Sequence, residues 1–151
     1  MTPPALTVIC DDLGDTFDQE QVDMLVKKLH MKSPLTPAFT ATEFTQPGGK
    51  YTRLVAVRDG EYVGYLAGKF PEGRAFVVIF GALYDGEGIG QQLMNHFANL
   101  AVERGFSVLE LYVDREESGL TRREDFFDKY RMAPCPDRPE HLCKSLTGQV
   151  F

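Results

Sequence analysis

Between two apolar stretches the chain places Asp85-Gly86-Glu87-Gly88-Ile89-Gly90. A β-type run from Ala75 to Tyr84 leads in, and Gln91-Gln92-Leu93-Met94-Asn95-His96-Phe97 leads out as a helix. A turn of this kind presents several backbone N–H groups at a helix N-terminus. Those donors and the positive end of the helix dipole together suit phosphate oxygens. Glycines let an anion approach the backbone, because no Cβ stands in the way. No other segment asks for a ligand so directly.

Two common phosphate motifs do not fit. A Walker loop needs GxxxxGK[ST], and no Lys-Ser or Lys-Thr follows Gly90. A dinucleotide fingerprint needs GxGxxG, and counting from Gly86 the sixth position is Gln91. For proton transfer the chain offers Glu110, Glu72, Asp11 and Asp12 near strand ends, and spacing alone selects none of them. His96 falls away from the apolar stripe of its helix and reads as exposed. Cys135, His141 and Cys143 lie close in sequence, but no fourth ligand stands at zinc spacing, so no metal is expected. Three cysteines without a CxxC read as reduced thiols of a cytoplasmic protein.

The bulk numbers bound the function. The chain has 151 residues, the length of one domain, and residues 1–151 are read as a single unit. With 43% hydrophobic and 25% charged residues it is globular in composition. No apolar run approaches the ~20 residues of a membrane span, and Met1 to Thr7 lacks the features of a signal peptide. A net charge of −6 and a pI near 5.0 speak against nucleic acid and favour cationic substrates or partners.

The elements that would position the glycine turn follow from periodicity. Leu6 to Cys10 is a short strand. Thr16 or Asp18 caps a helix carrying Val22, Leu25, Val26 and Leu29 at helical spacing. Residues 38–46 are a short helix or a loop, and Pro47-Gly48-Gly49 is a break. Arg53 to Arg58 and Glu61 to Phe70 form a hairpin through Asp59-Gly60. Arg74 to Tyr84 is the next strand, and the helix from Gly88 to Arg104 buries Leu93, Phe97, Leu100 and Ala101. Ser107 to Val113 is a strand, Thr121 with Glu124 opens a helix through Tyr130, and a last strand lies around His141 to Leu146. This order predicts an α/β (α+β) fold: a mixed, mostly antiparallel twisted sheet with helices on both faces, and one parallel strand–helix–strand unit.

The turn, the hairpin Leu54 to Tyr65 and the late segment Phe126-Phe127-Asp128-Lys129-Tyr130-Arg131-Met132 together resemble the GCN5-related N-acetyltransferase (GNAT) family. The resemblance runs through the whole chain in element order and is closest over residues 53–132. It implies an N-acetyltransferase that uses acetyl-CoA (coenzyme A) and passes the acetyl group to an amine of a small molecule or protein by direct attack. It places the cofactor along Phe80, Gly81, Ala82 and Leu83 and over Asp85, Gly86, Glu87, Gly88, Ile89 and Gly90. The pantetheine arm would pair with the strand edge, and a backbone N–H near Gly81 or Ala82 would polarise the thioester. Tyr130 is the candidate acid and Glu110 a candidate base. The loop from His30 to Lys50 would border the acceptor. A homodimer is compatible with such folds, and no residue specifies one.

Three positions depart from the family pattern. Asp85 stands where Arg or Gln is usual, Phe127 where the late helix often carries the acidic Tyr, and Leu120 where an Asn is frequent. Arg122 or Arg123 could compensate the carboxylates of the turn. These departures define a rival expectation: a catalytically inactive GNAT-like module that binds or inhibits a protein partner.

Overall fold

The computed structural model describes residues 5–32, 51–84, 86–112 and 126–146. Strand β1 (Thr7–Cys10) is followed by a single 3-10 turn and helix α1 (Gln19–Lys32). Then come β2 (Thr52–Arg58), β3 (Glu61–Lys69), β4 (Ala75–Ala82), α2 (Ile89–Glu103), β5 (Val108–Tyr112), β6 (Ala133–Pro134) and β7 (His141–Ser145). Among the described residues they form one sheet in the order β1-β2-β3-β4-β5-β7-β6. Every pairing is antiparallel except β4 with β5. The crossover through α2 explains that exception, since two parallel neighbours need a connection that returns along the sheet.

Local chemistry sets these boundaries. Asp59 and Gly60 both take positive φ, 53° and 75°, as a two-residue hairpin requires. Asp18 caps α1, its Oδ1 accepting the N–H groups of Glu20 at 3.1 Å and Gln21 at 3.3 Å. Gly105, also at positive φ, ends α2.

The two helices cover opposite faces. On one, Val22, Leu25, Val26 and Leu29 of α1 pack on Val55, Tyr65, Ala67 and Ile79. On the other, Ile89, Leu93, Met94 and Phe97 of α2 pack on Leu54, Ala56, Leu66, Val77 and Leu109. Helix α2 lies close because β3 presents glycine beneath it. A Cβ at Gly64 would stand 2.5 Å from Ile89 Cγ2, and one at Gly68 would stand 2.4 Å from the Phe97 ring.

The structure corrects the sequence reading in two places. The two-residue strand β6 had no sequence signal; it exists because it pairs with β7. And Cys135 and Cys143 are joined in a disulfide, not reduced; only Cys10 is a free thiol. The hairpin between β6 and β7 accounts for it, bringing the two Cα atoms to 5.1 Å. The helix expected from Thr121 is helical over 126–129; its start, with Leu120, Arg122 and Arg123, lies outside the described residues, as do residues 38–46 and Asp85.

Candidate active site

The parallel pairing of β4 with β5 is short. It joins Ala75 to Leu109, Phe76 to Glu110 and Val77 to Leu111, and then stops. Strand β4 runs on to Ala82 against β3. Beyond Val77 no described strand lies on its other side.

The cause is visible in the register. Ala67 of β3 pairs with Ile79, but the next residue, Gly68, pairs with Val77, so Val78 is one residue too many. Such a bulge bends the strand and increases its twist. It also reverses the alternation of side chains. Val77 belongs to the α2 core, whereas Ile79, two residues on, belongs to the α1 core. The extra residue falls where β4 leaves β5.

Past the bulge the strand offers its backbone to the gap. Leu83 N–H donates to the Val63 carbonyl at 2.9 Å, which makes those two a hydrogen-bonded pair. By antiparallel alternation Gly81 also bonds toward β3, while Phe80 turns its main-chain groups away from β3.

The gap leads to the glycine turn. Gly86 and Gly88 have φ of 75° and 77°, and a Cβ at either would meet nothing within 4 Å. Gly88 is the N-cap of α2 and supplies no side-chain cap. The bond from Gln92 N–H to the Gly88 carbonyl, 3.0 Å, closes the first turn, so the N–H groups of Ile89, Gly90 and Gln91 have no acceptor within the helix. Gly90 differs from Gly88: its Cβ would lie 2.9 Å from Phe80 and 3.2 Å from Phe126. It admits these rings beneath the helix start. Ile89 is buried. Glu87 does not stand as an unpaired charge, because it forms an ion pair with Arg58, whose guanidinium sits 5.4 Å from the centre of the Tyr84 ring.

Tyr130 and Glu110 lie on opposite faces of the sheet. Tyr130 is in the α2 core, and its hydroxyl donates to Asn95 Oδ1 at 2.9 Å. Burial raises its pKa far above that of an ordinary tyrosine. The Lys144 ammonium lies 3.7 Å from its ring centre. Phe127 is buried beside it, 6.1 Å from the Phe80 ring.

Glu110 points to the other face and is 2% exposed. Its Oε1 accepts from Arg138 Nη2 at 2.9 Å and lies 3.3 Å from Arg74 Nε, close enough for an ion pair. Its Oε2 lies 2.8 Å from His141 Nδ1. Cys143 Sγ is 3.8 Å away but belongs to the disulfide and has no proton to donate. Glu110, Cys135 and Cys143 thus cluster within 4.8 Å, yet the sulfurs are bonded to each other and two guanidinium groups share the carboxylate. A cavity of about 450 Å³ opens beside this network, walled by Arg74, Val108, Pro136, Arg138 and Ser145. Val108 and Ser145 place it at the end of β5 and β7 remote from the divergence.

The remaining carboxylates have structural partners or lie on the surface. Asp11 holds the buried Arg53, accepting its Nε at 2.7 Å and its backbone N–H at 3.0 Å. Asp12 takes Thr52 Oγ1 at 2.7 Å and Arg104 Nη2 at 3.0 Å. Glu72 and His96 are exposed.

The sequence model of the acetyltransferase (GNAT) family matches residues 16–123. The chain belongs to this family. Solved GNAT structures share its fold. Tetrahymena GCN5 superposes with a TM-score of 0.72 at 14% identity, over 97% of this chain and 98% of that one. The PaiA N-acetyltransferase of Thermoplasma acidophilum, in complex with coenzyme A, gives 0.68 at 15% identity, over 93% and 99%. The ribosomal-protein-S18-alanine N-acetyltransferase of Escherichia coli gives 0.67 at 14%, over 97% and 100%. No curated protein sequence matches the chain. In this GNAT chain the strand that parts from β5 after Val77 is followed in sequence by the glycine turn. The Glu110–His141 pair, which residue spacing did not reveal, lies on the opposite side of the sheet from α2.

Proposed function

We propose that the protein is an N-acetyltransferase that moves an acetyl group from acetyl-CoA to a primary amine by direct attack. One observation carries the reading: β4 parts from β5 at a bulge and runs directly into an uncapped, glycine-lined helix N-terminus. The residues present suit the ligand. The open space over Gly86 and Gly88 and the donors of Ile89, Gly90 and Gln91 would hold the pyrophosphate. The edge of β4 around Phe80 would hold the pantetheine arm as an added strand. Bound there, acetyl-CoA supplies an activated acyl group, and the chain contributes proximity, orientation and a backbone donor for the developing oxyanion.

Titration calorimetry with acetyl-CoA and with free CoA tests this reading. Micromolar binding by the folded protein is expected. Gly88→Val should lose it at least tenfold, because a β-branched residue does not adopt a φ of 77°. Unchanged affinity in a folded Gly88→Val protein would remove the turn from the site.

A second reading, a binding module without turnover, draws on a separate observation. Phe127 has no proton to give, and the hydroxyl of Tyr130 is engaged by Asn95. The two readings part on a measurement: thiol release from acetyl-CoA in the presence of amines occurs under the first and not under the second.

A further inference from the structure

We infer that His141 is the general base of the transfer and that Glu110 is the residue that positions it. The inference rests on the acetyltransferase reading above. Glu110 was one of the candidate bases read from sequence, but it is closed off from solvent and shared by Arg74 and Arg138. A carboxylate so engaged is a poor acceptor for a substrate proton. It can instead fix a neighbour that is better placed.

His141 is that neighbour. The last β4–β5 pair is Val77 with Leu111, so Tyr112 is the first β5 residue beyond the divergence. His141 is its partner on β7. The imidazole therefore sits at the base of the gap, on the face opposite α2. There its ring lies 5.5 Å from Tyr112 and 5.9 Å from Phe76, centre to centre. Its side chain is 21% exposed, against 2% for Glu110. Nδ1 lies 2.8 Å from Glu110 Oε2, and no described residue bonds to Nε2. A carboxylate can only accept, so the imidazole donates its Nδ1–H to Glu110 Oε2 and completes the network. That tautomer leaves the Nε2 lone pair available as a base.

The step balances simply. An acceptor ammonium gives one proton to Nε2. The neutral amine nitrogen then forms a bond to the thioester carbon, the C–S bond breaks, and the thiolate departs with the bonding pair. The amide nitrogen loses its second proton, which neutralises the thiolate, and His141 returns its own proton to solvent. The charged and titratable groups around the imidazole are Glu110 and Tyr112 on β5, Arg74 before β4, and Arg138 and Glu140 before β7.

Two measurements test the assignment. The chain has three histidines, so ¹⁵N NMR of histidine-labelled protein can resolve His141 in the absence of any substrate. The neutral Nδ1–H tautomer is expected in the wild type and should be lost in Glu110→Gln. A neutral Nε2–H tautomer in the wild type would overturn the proposal. The second measurement is acetyl-CoA binding and thiol release from pH 6 to 10. The acceptors are a peptide with a free α-amine, an amino-blocked lysine peptide, spermidine and kanamycin. His141→Gln should bind acetyl-CoA as the wild type does and lose about 100-fold in kcat/KM at pH 7. The deficit should shrink toward pH 10, where the amine sheds its own proton; a structural defect would not recover in this way. A His141→Gln or His141→Asn protein that binds acetyl-CoA and keeps wild-type kcat/KM at pH 7 overturns the role of His141 alone. Wild-type protein that binds acetyl-CoA but acetylates none of the four amines also overturns it. Failure of the wild type to bind acetyl-CoA at all overturns the underlying acetyltransferase reading as well.

Discussion

The ion pair of Arg58 with Glu87 neutralises an acidic residue of the turn that, under the proposed acetyltransferase reading, would receive the pyrophosphate. An unpaired carboxylate there would repel the ligand by about 1 kcal/mol at solvent-exposed separations. Arg58 stands at the end of β2, 29 residues earlier in the chain, and cancels that charge. Arg58→Ala should therefore weaken acetyl-CoA binding about fivefold at low salt, and less at 0.5 M salt, where screening removes most of the effect. Arg58→Ala combined with Glu87→Gln should recover the affinity. Calorimetry of the two variants measures both, and an unaltered affinity in Arg58→Ala would show that Glu87 does not face the ligand. Residue types were legible at this scale, but their partners were not. Glu110 could be named from sequence; its engagement by Arg74, Arg138 and His141 could not, because those groups come from three separate segments. Asp11 and Asp12 likewise read as candidate bases until Arg53 and Arg104 were seen to hold them.

At the scale of elements, periodicity and turn chemistry were enough for β1 to β5 and for both long helices. Asp59-Gly60, Asp18 and Gly105 each impose a local conformation that little else would tolerate. Two features escaped. The bulge at Val78 leaves no trace in a run as uniformly apolar as Ala75 to Ala82, since both registers bury hydrophobic residues. Strand β6 is too short for a pattern and contains Pro134. The glycines of β3 were passed over as strand residues, yet they set how close α2 lies to the sheet. Gly68→Ala should cost about 2 kcal/mol, as overpacking does when a ring must move, and lower the melting temperature accordingly. Adding Phe97→Leu should return part of that loss by freeing the space; if it does not, the contact with Phe97 is not the source. The hairpin carrying His141 is tied by the Cys135–Cys143 bond. Thiol titration of denatured, unreduced protein should find one thiol, that of Cys10, and three after reduction. Three before reduction would return the pair to the reduced state expected from sequence.

Among the described residues the two cores, one on each face of the sheet, both enclose tyrosine, and in each core one phenol has its pKa raised. Tyr65, fully buried, belongs to the α1 side, and Tyr130 to the α2 side. Burial is the main cause that raises both pKa values above the ordinary value of 10, although the charge of Arg53 and its hydrogen bond oppose it at Tyr65. In the unfolded chain both phenols ionise near pH 10, while in the folded protein they keep their protons. Above that pH the unfolded state binds fewer protons than the native one, so stability falls as pH rises. The contribution is fully present below pH 10 and is lost through the range between the unfolded and folded pKa values. Each tyrosine adds up to about 1.4 kcal/mol of lost stability per pH unit there. Tyr130→Phe separates the two. Near pH 7 it should be less stable by about 1 kcal/mol, since the bond to Asn95 goes and its acceptor stays behind. Above pH 10 its decline should be shallower than that of the wild type, because one phenol with a raised pKa is gone while Tyr65 and Tyr84 remain. Urea melts at pH 7, 10, 10.5 and 11 give both quantities. Parallel declines in the two proteins would mean that Tyr130 ionises in the folded state as readily as in the unfolded one. A phenol so readily ionised could serve as the proton donor that the sequence first suggested.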